Sequence, residues 1–200
     1  MERNFREAMT HRRTYYRLGK REILSHQELH KLMESALLHV PSAFNSQSAR
    51  LVLLLGEQHD RLWQIVKDTL RAIVPADAFV KTEEKIDQAF ASGYGTVLFY
   101  EDQDTVKQLQ EQFPLYKDNF PTFSEHSTAM HQFAVWTMLE DAGLGASLQH
   151  YNPLIDEAVA REWKLPASWK LTAQMSFGSP ECKPDEKTFL PLDGRLKMFE

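Results

Sequence analysis

Phe5, Ala8 and Met9 recur at helical spacing, which predicts a first helix over residues 2–12, closing near Arg12 and Arg13. Ser25, with Glu28 three residues on, has the form of a capping box. The stripe Leu29, Leu32, Met33, Ala36 and Leu37 behind it predicts a second amphipathic helix. The unbroken apolar run "RLVLLLG" (50–56) reads as a buried strand, after which Leu62, Ile65, Val66, Leu70 and Ile73 return to helical spacing. "GTVLFYED" (95–102) predicts a second strand, loosened at its start by Gly93 and Gly95, and Val106, Leu109 and Phe113 a short helix behind it. Residues 124–142 read as a helix apolar around most of its girth, the pattern of a core or subunit-interface helix, ended by Gly143 and Gly145. "NPLIDEAVAREW" predicts a helix capped by Asn152 with Pro153 at its first position. In "WKLTAQMSFG", Trp169, Leu171, Ala173, Met175 and Phe177 alternate with polar residues, as in a strand with one dry face. The tail "DEKTFLPLDGRLKMF" keeps neither period and is expected to wrap a body, its own or a partner's.

Few strands among many helices predict an α+β architecture, and 200 residues suffice for one well-buried domain over 1–200. The net charge of −5 and pI near 5.9 argue against a general nucleic-acid binder, which needs a basic face to displace counterions. No run approaches the roughly 20 apolar residues of a membrane span, and the segment from Met1 lacks a secretory core, so the expected compartment is the cytoplasm. The single Cys182 excludes an internal disulfide and a cysteine-rich metal site. The histidines form no HExxH pair; His126 and His131, five apart, project from different sides of their helix, so no metal is expected. There is no GxSxG and no Walker loop. "GLGASL" follows a helix instead of a strand, which argues against a dinucleotide fingerprint.

Four separated polar segments remain, and they make sense together if they converge on one ligand. "HRRTYYRL" offers guanidiniums and a hydroxyl, "PSAFNSQ" hydroxyls and carboxamides, "GLGASLQHYNP" close backbone approach, and "EKTF…GRLK" cations. Such a ligand would carry a phosphate, a polar heterocycle and a flat face. Taken singly, the same residues also describe a solvated basic surface and ordinary turns.

In order and spacing, these segments resemble the nitroreductase family of flavoproteins, and within it the fatty-acid-repression branch with a short domain and a tail ending "EKTFLPLDGRLKMF". The resemblance runs from Arg12 to Phe199. It implies a three-layer α+β fold in which helices flank a central, mostly antiparallel sheet. It further implies a homodimer with exchanged C-terminal tails and one FMN at each end of the interface. Arg12, Arg13 and Thr14 match the family's Arg-x-Ser element, which holds the flavin phosphate, a role suited to bidentate guanidinium pairing. Tyr16 stands where the family commonly has a basic residue near the pyrimidine edge. Pro41, Ser42, Asn45 and Gln47 match its Pro-Ser-x-x-Asn-x-Gln element, which crosses to the other subunit's flavin; where many relatives continue Gln-Pro-Trp, this chain has Ser48-Ala49. Leu148, Gln149 and His150 fall where backbone approaches the redox-active side, Lys187 where a tail cation meets the phosphate, and Arg195 is a second such cation.

The activity implied is that of an oxidoreductase in which NADH or NADPH passes hydride to FMN, leaves, and is replaced by a nitroaromatic, quinone or similar flat acceptor, a ping-pong scheme. The cofactor carries the chemistry, so no catalytic side chain is expected. Phe44, Tyr94, Phe120, Phe123 and Tyr151 are candidates for a pocket wall. Two other readings stay open from the residues alone: a flavin-binding stress or metabolic sensor whose turnover is incidental, and a cofactor-free interaction protein.

Overall fold

The computed structural model describes residues 4–200. Helix α1 (Phe5–His11) starts at a capping box in which Asn4 and Glu7 satisfy each other's backbone amides; the residues expected before Asn4 lie outside the described ones. A two-residue strand β1 (Leu18–Gly19) precedes α2 (His26–His39), whose Ser25–Glu28 box forms as the spacing predicts. Strand β2 (Ala49–Leu55) leads into α3 (Glu57–Arg71) and α4 (Ala76–Ile86), the latter running into a π-type turn at 87–91. Strand β3 (Gly95–Asp102) is followed by α5 (Gln103–Gln112), a 3-10 turn at 114–119 and the long α6 (Phe120–Asp141). Strand β4 (Gly145–Gln149), α7 (Asp156–Glu162) and β5 (Trp169–Pro180) complete the body, and an irregular tail follows.

The sheet runs β1-β5-β3-β2, with β4 also paired to β5, and every pairing of named strands is antiparallel. One face carries Leu62, Trp63, Val66, Phe79, Ile86 and Phe90 from α3, α4 and the π-type turn, with Ile155 just before α7 and Val159 within it. The other carries Leu29 and Met33 of α2 and Val135 and Leu139 of α6. Both faces of β5 are therefore dry. Its polar residues are satisfied inside, Ser176 donating to the Phe90 carbonyl at 2.7 Å and Gln174 accepting from the Tyr151 amide at 2.8 Å.

The sequence pattern missed several features, the two-residue β1 among them. "GASLQ" is a strand because it pairs with 174–178 of β5, while Gly143 alone, at φ +84°, ends α6. α4 went unread because only Phe79 and Ile86 of its residues are buried, too few to mark a period. α7 begins at Asp156, since Asn152 to Leu154 form a turn instead of a cap. Strand β2, expected to be buried, is at the end of the sheet order and mostly half-covered.

Candidate functional site

Capping of α1 fixes where the chain leaves the helix, and so where Arg12 emerges. Its guanidinium lies over the Trp136 ring of α6, 4.4 Å from the centroid, and its Nε is buried with no hydrogen-bond partner among the described residues. Burial lowers the pKa of Arg12, opposed by the nearby Glu140 carboxylate and reinforced by Arg13; an arginine so placed remains charged. Tyr15 then donates its amide to the Ala146 carbonyl at 3.1 Å, and Thr14 bridges Ala146. This fastens the Arg-Arg-Thr segment to the outer edge of β4. Gly145 permits the approach: a Cβ there would stand 2.9 Å from the Tyr15 ring.

The tail closes the other side. Arg13 donates through Nη2 to the Asp185 carbonyl, and Arg12, Arg13, Thr14, Tyr16, Asp185 and Lys187 line a cleft of about 250 Å³. Residues from opposite ends of the sequence thus place three cations and one carboxylate around one concavity. Tyr16 also borders a second cleft, of about 470 Å³, with Lys81, Glu84, Lys85, Gln88 and Ala89 of α4 and the π-type turn. Arg195 stays outside the first cleft, its guanidinium on the Leu190 carbonyl at 3.3 Å.

In β4 the outward Ala146 carbonyl fixes the alternation. The backbone groups of Leu148 and His150 face the same open edge, whereas those of Ser147 and Gln149 face β5. The Gln149 side chain folds back, donating to Ser147 Oγ at 2.9 Å and the Leu148 carbonyl at 2.8 Å. His150 is exposed.

The Pro41–Gln47 segment lies elsewhere. Phe44, Asn45 and Gln47 adopt positive φ (57°, 49° and 49°), with Ser46 right-handed between them, a concentration of left-handed residues that the surroundings must enforce. Ser42 supplies part of that enforcement by accepting from the Gln47 amide at 3.0 Å, while the Asn45 and Gln47 side chains reach solvent and Pro41 is exposed. Phe44 is lodged against Phe113, Tyr116 and Phe120, at the start of α6. Trp136, beneath Arg12, is sixteen residues further along the same helix, about 24 Å at 1.5 Å per residue. One copy of the chain therefore brings Arg12, Arg13, Thr14, Tyr16 and Lys187 together, and holds Asn45 and Gln47 far from them.

Nor do the five aromatics form one wall. Phe44, Phe120 and Phe123 cluster at the start of α6, Tyr151 packs on Trp63 and Phe90 in the core, and Tyr94 borders a separate cleft with Lys20, His26 and His59. Trp136 and Asp185 escaped the sequence reading: a tryptophan in an apolar helix looks like core, and a backbone carbonyl leaves no mark in side-chain patterns.

Residues 9–179 match the model of the nitroreductase family. The chain is 37% identical over 190 residues to the nitroreductase FRM2 of Saccharomyces cerevisiae, covering 94% of this chain and 93% of that protein. The nitroreductase CinD of Lactococcus lactis, solved with 4-nitrophenol, superposes with a TM-score of 0.89 at 45% identity, over 98% of this chain and all of that one. A nitroreductase with bound FMN from Desulfitobacterium hafniense shares the fold, with a TM-score of 0.72 at 12% identity and full coverage of both chains. By its sheet, its motifs in order and these matches over nearly its whole length, the chain belongs to the nitroreductase family of oxidoreductases, on the branch that includes the yeast protein.

Proposed function

We propose that this protein is an FMN-dependent oxidoreductase that uses NADH or NADPH to reduce nitroaromatics, quinones or similar flat acceptors. It works as a cytoplasmic homodimer whose flavin sites each draw on both copies. The observation that carries this reading is the convergence of Arg12, Arg13, Thr14 and Lys187 on one cleft. A phosphate monoester brings a charge of about −1.5 to −2 and strong acceptor oxygens. Three cations, one of them with a buried Nε that has no hydrogen-bond partner among the described residues, suit that group.

The distance between the two polar sets supports the second copy. Arranged antiparallel across α6, the Asn45–Gln47 loop of one protomer meets the Arg12–Arg13 cleft of its partner. The surface to be covered is present: Leu38 (75% exposed), Met130 and Phe133 on α2 and α6, and Phe189, Leu192 and Phe199 (89%) on the tail. The open edge of β2 has unpaired backbone for an added strand, which the exchanged tail would supply.

FMN, when bound, supplies the redox chemistry between the nicotinamide and the acceptor. The chain's own residues bind and orient. Arg12, Arg13 and Lys187 would hold the phosphate; Asn45 and Gln47 would each offer a donor and an acceptor to the pyrimidine edge; the outward amides of Leu148 and His150 would serve the ring's redox-active side. Acceptor class follows from the CinD relative, which was solved with a nitrophenol. The test is steady-state reduction with NADH and with NADPH against a panel of nitroaromatics and quinones. A yellow protein whose flavin is bleached by either donor and recolours with an acceptor supports the reading. A flavin that stays oxidised under both donors contradicts it.

A further inference from the structure

The loop carrying Asn45 and Gln47 rests on a buried carboxylate that the flavin reading leaves unused. Glu101, next to last in β3, is 1% exposed. Its Oε2 accepts from Ser48 Oγ at 2.5 Å and from Ser124 Oγ of α6 at 3.0 Å, while Oε1 is buried with no partner among the described residues. Ser48 continues the chain of hydroxyls outward, 3.3 Å from Ser46 Oγ inside the loop itself. The neighbouring residue in β3 holds the next stretch of backbone. Asp102 donates its amide to the Ser48 carbonyl at 2.9 Å and its carboxylate pairs with Arg50 at 2.9 Å, and Arg50 in turn donates to the Gln47 carbonyl at 2.7 Å. Glu101 and Asp102 thus grip the end of the loop from the sheet, Glu101 by the Ser48 side chain and Asp102 by the Ser48 carbonyl and, through Arg50, that of Gln47.

We propose that Glu101 is a positioning residue for the flavin site: acting through Ser48, it holds the strained Phe44–Gln47 loop in the shape that presents Asn45 and Gln47 to the partner's cofactor. This rests on the flavin reading above. A carboxylate taken out of water costs free energy that a core residue would not, and an apolar side chain of similar size would fill the same space. What the carboxylate adds is direction: one bond to the Ser48 hydroxyl and one to that of Ser124 tie the residue at which the strained loop ends to α6. Burial raises the pKa of Glu101, against the two serine hydrogen bonds and the charge of Arg50, and Asp102 adds to the rise.

The experiment is FMN titration of the apoprotein, the circular dichroism of the bound flavin in the visible, and the melting temperature of the apoprotein. It compares wild type, Ser48→Ala, Glu101→Ala, Glu101→Gln and Arg13→Ala. Loss of the hydrogen bond that places Ser48 should raise the Kd for FMN about tenfold in Ser48→Ala and Glu101→Ala and change the flavin dichroism. Glu101→Gln, whose amide oxygen accepts the same two bonds, should stay within about threefold of wild type. If Ser48→Ala and Glu101→Ala melt earlier yet keep the wild-type Kd and dichroism, Glu101 braces the core only and the proposal is overturned. Should Glu101→Ala fail to fold, Ser48→Ala decides alone. Arg13→Ala separates the two readings: weakened FMN there, with Ser48→Ala unaffected, retains the flavin site and rejects the anchor. A wild-type protein that takes up no FMN overturns both.

Discussion

Arg13 shows how much one side chain near a chain terminus can do. It closes the cleft by holding the Asp185 carbonyl and lines the same cleft as Arg12 and Lys187. Arg13→Ala should weaken FMN retention by about 1.5–3 kcal/mol, roughly ten- to a hundredfold in Kd, because a charge-assisted bond to the phosphate is lost. Unchanged affinity in a fluorescence titration would remove Arg13 from the site. His59 illustrates a residue fixed by the fold. It is 1% exposed, its Nε2 donates to the Ala91 carbonyl at 3.1 Å, and Thr96, which accepts from Trp63 Nε1, turns its hydroxyl to Nδ1 at 2.8 Å. Burial pushes its pKa from 6.5 down to about 4, with the Ala91 bond and Asp60 opposing. The folded state therefore binds the proton less readily than the unfolded one. The stability His59 confers is complete above pH 6.5 and is lost as the pH falls toward 4. Compared with His59→Gln by urea unfolding, the wild type's advantage should shrink by about 3 kcal/mol between pH 7 and pH 4. Glu101, whose pKa is raised, changes stability in the opposite sense over the acid range, and it is common to both proteins, so the difference isolates the histidine.

At the scale of elements, β5 is the axis on which the fold turns, paired with β1, β3 and β4. Gly178 lets this happen, since a Cβ there would stand 2.4 Å from the Gly19 carbonyl and 2.9 Å from the Tyr94 amide, both backbone and unable to swing away. Gly178→Ala should cost about 1–3 kcal/mol, visible as a lowered urea midpoint with unchanged slope. The long elements were legible because each carries enough apolar positions to state its period: α2, α3, β3 and β5 fall where spacing placed them, and α6 does so except that it begins a turn earlier, at Phe120. The short ones were not. Nothing in "GASLQ" prefers a strand; β4 exists because β5 offers hydrogen bonds and Tyr15 needs a glycine beside it. The candidate site divides the same way. Arg12, Thr14 and Lys187 could be picked out as chemistry-bearing residues in order along the chain. Glu101 could not, because a glutamate at the end of an apolar strand looks like the strand's exit to solvent until Ser48 and Ser124 are seen around it.

At the scale of the molecule, α6 is the ruler. Its two ends carry the two halves of the proposed site, about 24 Å apart, and its Met130 and Phe133 are left exposed between them. The second copy proposed above, in antiparallel register, would resolve both facts at once. In the proposed dimer that copy would cover the apolar face, give the tail a body to wrap, and bring the carboxamides of one protomer to the arginines of the other. The most direct measurement is subunit complementation. Homodimers of Arg13→Ala and of the double variant Asn45→Ala/Gln47→Ala should each bind FMN weakly at both sites. A mixed dimer of the two places both defects in one site and leaves the other intact, so it should bind one FMN per two chains with wild-type affinity. A mixed dimer with no tight site would mean that each chain builds its own pocket, and would contradict the account.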